Sequence, residues 1–223
     1  MKNIKLAFLI PLSLVLTCCS SVKVLNSWKA SDVETFRDNN ILVVARTANE
    51  EARVAFENEI TREIRARGMN ATPSYTKFPK LRPNDKLTDE RKDEIKNLLQ
   101  KEGFNGVVLS VVKDYQERTR VVGTGGYEAS VNYGYTDFPT YFGGGFYVYY
   151  NNPLSYSNED IYVPESEYTI TSKLYVLETV AYDLEQQESK QLVAWVTSEI
   201  ENPSGAAATA NSYAKAIAKR FKN

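Results

Sequence analysis

The chain has 223 residues, with 27 Lys and Arg against 28 Asp and Glu, a formal net charge of −1 and no histidine. Basic and acidic residues alternate along most of its length, which excludes the one-sided basic footprint of a nucleic-acid binder. Without imidazole there is no Ser-His-Asp or Cys-His catalysis, no phosphohistidine chemistry and no zinc site of the usual kind.

The chain starts with Lys2 and Lys5 ahead of an apolar run from Leu6 to Leu16. That run is shorter than the roughly 20 residues of a spanning helix and is interrupted by Pro11, so it reads as a secretory leader. Leu16-Thr17-Cys18-Cys19 follows and holds both cysteines of the chain. This tetrapeptide resembles the lipobox of bacterial lipoproteins, whose cysteine is lipidated and becomes the new N-terminus. The resemblance implies lipidation at Cys19, with Leu16 three positions before it. Cys18 stands where Gly, Ala or Ser is usual and is the second candidate. The chain then divides into a signal peptide, residues 1–18, and one domain, residues 19–223. Each buried methylene of an acyl anchor contributes about 0.8 kcal/mol, so two or more chains hold the protein at the membrane. By the family rule Ser20, in place of Asp, implies the outer membrane, and the lack of an acidic cluster after Cys19 favours its periplasmic face.

Val22 to Trp28 predicts a short strand, and Ile41 to Ala45 a buried one. Thr47 or Asn49 can cap a helix with Ala52, Ala55, Phe56, Ile60 and Ile64 on its inner face, ended by Gly68. Met69 to Phe78 reads as an extended edge segment broken by Pro73. Thr88 predicts the cap of a second helix with Ile95, Leu98 and Leu99 inward, ended by Gly103. Val107 to Val112 is the strongest strand signal and continues toward Arg120. Tyr168 to Leu184 predicts a long strand with Ile170, Leu174, Val176, Val180 and Tyr182 on one face and Glu178 as the exception. Its partner is Gln191 to Ile200, and Asn202-Pro203-Ser204 opens a last helix with Ala206, Ala210, Tyr213, Ile217 and Phe221 along one stripe. The expected fold is α+β, a single mixed, mostly antiparallel sheet with about three helices packed on it.

Residues 121–163 form a Gly/Tyr-rich excursion of different composition, with Glu128 and Asp137 the only charges from Val121 to Asn158. No Gly-Lys-Ser/Thr follows its glycines, so they are not a phosphate cradle. Val131 to Tyr135 and Phe146 to Tyr150 alternate as an aromatic ribbon would. Tyrosine offers contact area at low entropic cost, and aromatic faces suit both peptide strands and sugar rings. The partner-binding candidates are therefore Tyr133, Tyr135, Tyr141, Phe142, Phe146, Tyr147 and Tyr149.

Other groups read as structural. Arg53, Glu57, Glu59, Arg62, Glu63 and Arg65 predict a solvated helix face with weak ion pairs. Trp28 and Trp195 read as core or edge packing, and Ser157-Asn158-Glu159-Asp160 lacks the spacing of a calcium loop. No catalytic residue, metal site or cofactor is expected.

Asn26-Ser27-Trp28, Ile41 to Arg46, Arg53 with Phe56-Glu57, Gly68, Ala71 and Ser74-Tyr75 together resemble a family of uncharacterised bacterial lipoproteins, with the Gly/Tyr excursion similar to Bacteroidota members. The element order is similar at fold level to the periplasmic domains of the curli secretion lipoprotein, the penicillin-binding-protein activator lipoproteins and the TolB N-terminal domain. These resemblances imply a non-catalytic envelope accessory or protein-interaction module, with cell-wall glycan or polysaccharide binding through the excursion as the alternative. The expected partners are the membrane, through covalent lipid, and an envelope protein; nucleic acid is not among them.

Overall fold

The architecture is built on the pairing of its two longest strands, β4 (Gly106–Val121) and β5 (Thr169–Asp183). They run antiparallel from Gly106 opposite Asp183 to Val121 opposite Thr169, with one bulge between Val112 and Asp114. The structure, a computed structural model, describes residues 22–79, 83, 85, 88–121, 145–151 and 169–220. β1 (Val22–Lys29), β2 (Asn40–Arg46), β3 (Asn70–Pro73) and β6 (Leu192–Glu201) complete a six-stranded sheet of order β1-β6-β5-β4-β2-β3. β2 runs parallel to β3 and β4, and the other pairs are antiparallel. This is the mixed α+β sheet that the sequence predicts.

The parallel corner determines where the helices lie. α1 (Glu50–Arg65) joins β2 to its outer neighbour β3. The short α2 (Ser74–Lys77) and then α3 (Asp89–Lys101) lead back across β2 to β4. Right-handed crossovers that move in opposite directions along a sheet put their helices on opposite faces. Covered on both sides, β2 is apolar from Ile41 to Ala45, as a buried parallel strand requires. Ile41 and Val43 enter one core with Ile60 of α1 and with Tyr213 and Ile217 of α5 (Ala206–Arg220). Leu42 and Val44 enter the other with Leu99 of α3 and with Phe146 and Tyr149 of α4 (Phe146–Asn151). Each such side chain contributes about 1.5–3 kcal/mol on full burial.

Local signals match the expected boundaries. The Asn49 side chain caps α1 by accepting from Ala52 N at 3.0 Å, and Thr88 caps α3 by accepting from Arg91 N at 3.3 Å. Gly68 and Gly103 follow α1 and α3 with φ of 78° and 71°, the left-handed region that glycine enters without steric penalty. Among the described residues no helix is long and apolar enough to cross a membrane.

Two segments differ from expectation. Beyond Pro73 the chain turns into α2 instead of remaining extended to Phe78. Phe146 to Tyr150, expected as half of an aromatic ribbon, lies in the helix Phe146–Asn151. Phe146, Tyr149 and Tyr150 recur at the i, i+3, i+4 spacing of a helix face, and burial of that face decides between two readings of one sequence.

Gly106 opens β4 against a crowded wall. A Cβ there would lie 2.9 Å from the Phe36 ring, 3.1 Å from Ile41 Cγ1 and 3.2 Å from Asn39 Cβ. Gly106→Ala is expected to cost about 1–3 kcal/mol, read as a lowered urea midpoint with an unchanged slope.

Candidate functional site

The charged run of α1 is not all solvated. Arg53 and Glu57 are buried, 2% and 0% exposed, and they meet Ser74 at the start of α2. Glu57 Oε1 accepts from Ser74 Oγ at 2.7 Å, from Ala45 N at 3.1 Å and from Arg53 Nε at 3.2 Å. Glu57 Oε2 accepts from Tyr75 N at 2.9 Å, and Arg53 Nη2 donates to Ser74 Oγ at 3.2 Å. Burial pushes the Glu57 carboxyl above its ordinary value, against the pull of these donors and of Arg53. The serine hydroxyl is fully buried and held by two partners, so the group works as a staple between β2, α1 and α2.

A second polar cluster occupies the opposite face. Arg46, 1% exposed, donates to the Tyr150 carbonyl at 2.6 Å and lies over the Tyr150 ring at 4.1 Å. Glu178, the exception on the predicted apolar face of β5, accepts from the Tyr149 hydroxyl and lies 3.7 Å from Lys113 Nζ. Burial holds the Lys113 ammonium below its usual range despite Glu178, and Arg46 pushes the same way. Burial and the Glu178 charge raise the Tyr182 hydroxyl far above the usual phenol range. This cluster secures α4 to the sheet.

The face of α1 and α5 carries a cavity of about 150 Å³, open on one side. Its walls are apolar, and its charged lining groups are Lys29, Glu34, Arg37, Glu63 and Arg67. Thr179 lies in the lining, but its hydroxyl is engaged by Ser110 at 2.5 Å and by Tyr213 at 2.6 Å.

Several sequence candidates now have positions. Phe146 and Tyr149, expected on a binding surface, are 4% and 0% exposed and belong to the core, because α4 turns them inward. Tyr147 is half-buried, with the Lys92 ammonium 5.5 Å from its ring. Burial and the nearby Asp93 charge push its hydroxyl up to about 12. Val148 beside it is exposed. Cys18, Cys19, Tyr133, Tyr135, Tyr141, Phe142 and the stretch from Ser157 to Asp160 lie outside the described residues. Trp195 is a core residue, whereas Trp28 and Leu25 on the outermost described strand are 38% and 43% exposed.

The class of fold is an open α+β sandwich with helices on both faces of a mixed sheet. No protein-family model and no curated protein matches the chain. Among solved structures it is similar to two crystal forms of the PelC dodecamer from Paraburkholderia phytofirmans, one of them a point variant. They share 12% and 11% identity over 88% of this chain and 94% of theirs, with TM-scores of 0.40 and 0.39. Overlaps this loose assign neither family nor role.

Two predictions follow from the staple. Arg53→Ala leaves the Glu57 carboxyl buried without its ion pair and is expected to cost about 3–5 kcal/mol in urea unfolding. The second concerns pH. Glu57 binds its proton more tightly in the fold than in the unfolded chain, so its share of stability is complete below the ordinary value of 4.5. That share is lost as the pH rises through the higher folded-state value. Unfolding curves across this range should show the decline in the wild type and not in Glu57→Gln, even though the amide is less stable at neutral pH.

Proposed function

We propose that this chain is a lipid-anchored envelope protein, held at the periplasmic face of the outer membrane through Cys19 and acting as a non-catalytic accessory that docks another envelope protein. The observation that carries this reading is the pair Leu25 and Trp28. Both are large apolar side chains, exposed on β1, and β1 starts only three residues after Cys19. Trp is over-represented at the centres of protein interfaces, where a flat apolar ring with few rotamers gives large contact area. A strand tethered this close to a bilayer has its partners restricted to proteins at the same surface. The resemblance of the Trp-bearing first strand and the Arg53, Phe56-Glu57 helix to uncharacterised lipoproteins supports the same reading.

The alternative, a glycan ligand, draws on the exposed Trp28 ring together with Tyr133, Tyr135, Tyr141, Phe142 and Tyr147, since aromatic faces stack on sugar rings as readily as on peptides. It predicts pelleting with purified peptidoglycan that is lost when residues 124–160 are shortened.

Cys19→Ala is expected to move the protein from the membrane to the soluble fraction, whereas Cys18→Ala leaves it membrane-bound. Photocrosslinking in living cells then tests the docking role, with the reactive residue at Leu25 or Tyr141 and a control at the exposed Lys215. A discrete protein adduct from Leu25 and not from Lys215 is the expected result. Folded, membrane-bound protein that gives no protein adduct from Leu25 or Tyr141 overturns it.

A further inference from the structure

The cavity beside α5 arises where small residues face small residues. Ala214 and Ala218, one turn apart on the helix, lie across from Ala181 of β5 and Ala194 of β6, and all four line the space. A close-packed core sets large side chains against small ones, so alanine against alanine leaves a void that neighbours close only in part. Ile60 and Ile64 of α1 form the next wall, and Met69, a flexible and polarisable side chain, is also in the lining.

We propose that this cavity takes the end of one acyl chain of an anionic amphiphile. Apolar walls favour a hydrocarbon over water, because an ordered water needs two to four polar partners. The lining hydroxyl of Thr179 is already bonded to Ser110 and Tyr213. In size the space matches an engineered apolar cavity of about 150 Å³ that stays dry and admits benzene. It therefore holds the terminal carbons of a chain and leaves the remainder to run out through the open side.

The charged residues of the lining select the head. Three cations, Lys29, Arg37 and Arg67, stand with two carboxylates, Glu34 and Glu63. Arg37 lies 3.7 Å from Glu34, and Arg67 lies 3.1 Å from Glu63. Arg37 also donates to the Arg67 carbonyl at 3.1 Å and Arg67 to the Glu63 carbonyl, yet a guanidinium has five N–H donors, so these partners do not saturate it. The remaining N–H donors of Arg37 and Arg67 favour a carboxylate or phosphate head and disfavour a cationic one. A free fatty acid and an anionic phospholipid share this chemistry.

The test uses the full-length lipoprotein in native membrane vesicles. The probes are decanoate with a terminal diazirine, the corresponding decanol, and phosphatidylglycerol bearing the same photoreactive chain. Adducts are mapped by peptide mass spectrometry. Labelling of peptides carrying Ile60, Met69 or Ile217, competed by unlabelled decanoate, is the expected result. Labelling by the free acid alone assigns the site to unesterified acid, and labelling by phosphatidylglycerol alone assigns it to membrane lipid; either supports the proposal. Ala214→Leu fills the space and should bring labelling to background. Ala218→Leu serves the same purpose if the first variant melts below the wild type. Arg37→Gln with Arg67→Gln should lower labelling by the acid several-fold and leave the alcohol unchanged. Labelling that persists at full yield in a folded, cavity-filled variant overturns the site. Equal labelling by alcohol and acid in the wild type overturns the anionic head.

Discussion

The carboxylate of Glu57 is the contact on which the parallel corner of the fold depends. β3 pairs with β2 only from Asn40 opposite Asn70 to Val43 opposite Pro73, so the ladder stops while β2 continues to Arg46. Two residues past the last pair, the Ala45 N–H donates to Glu57 Oε1 in place of a strand carbonyl. The other carboxylate oxygen takes the Tyr75 N–H, which turns the chain from β3 into α2. Arg53, one helical turn before Glu57, supplies the counter-charge that makes a buried carboxylate tolerable. One side chain thus completes a strand edge, starts a helix and fixes α1 over both.

The two faces of the sheet solve their packing differently. Under α3 and α4 the space is filled by large aromatics, Phe104, Phe146, Tyr149, Tyr150 and Tyr182, and the buried charges of Arg46, Lys113 and Glu178 are paired among themselves and with tyrosine hydroxyls and backbone. Under α1 and α5, beside the Glu57 group, a hydroxyl chain from Tyr213 through Thr179 to Ser110 seats α5 on β5 and β4. Alanines occupy much of the remaining α5 face, and the hollow follows from them. The first face is filled by its aromatics, and the second leaves the hollow proposed to take an apolar guest.

The frame was legible because its signals are local. The β-branched run of β4, the periodicity of α1 and α3, the Asn49 and Thr88 caps and the glycines after the helices each belong to one short window. The staple was not legible, because Arg53 and Glu57 sit in a helix where six other charged residues are more exposed, and charge alone does not tell which turn faces the sheet. Pairing with Ser74 is a tertiary fact, although Arg53, Phe56-Glu57 and Ser74-Tyr75 already stand out by resemblance. Phe146–Tyr150 misleads because alternating aromatics fit a strand, while the i, i+3, i+4 spacing of Phe146, Tyr149 and Tyr150 also fits a helix. The cavity depends on Ala181 and Ala194 meeting Ala214 and Ala218, residues far apart in the chain. Glu178 was the exception worth following, since a lone charge on an apolar strand face must find a buried partner.

Native-state amide hydrogen exchange at Ala45 and Tyr75 tests the central claim most directly, because both amides donate to Glu57 and neither is held there by a strand partner or helix ladder. If the carboxylate completes the corner, both amides exchange only through openings as costly as global unfolding, in step with Val43 and Leu109 of the core strands. Exchange of Ala45 and Tyr75 at the rate of exposed loop amides, with Val43 and Leu109 still protected, would contradict the account.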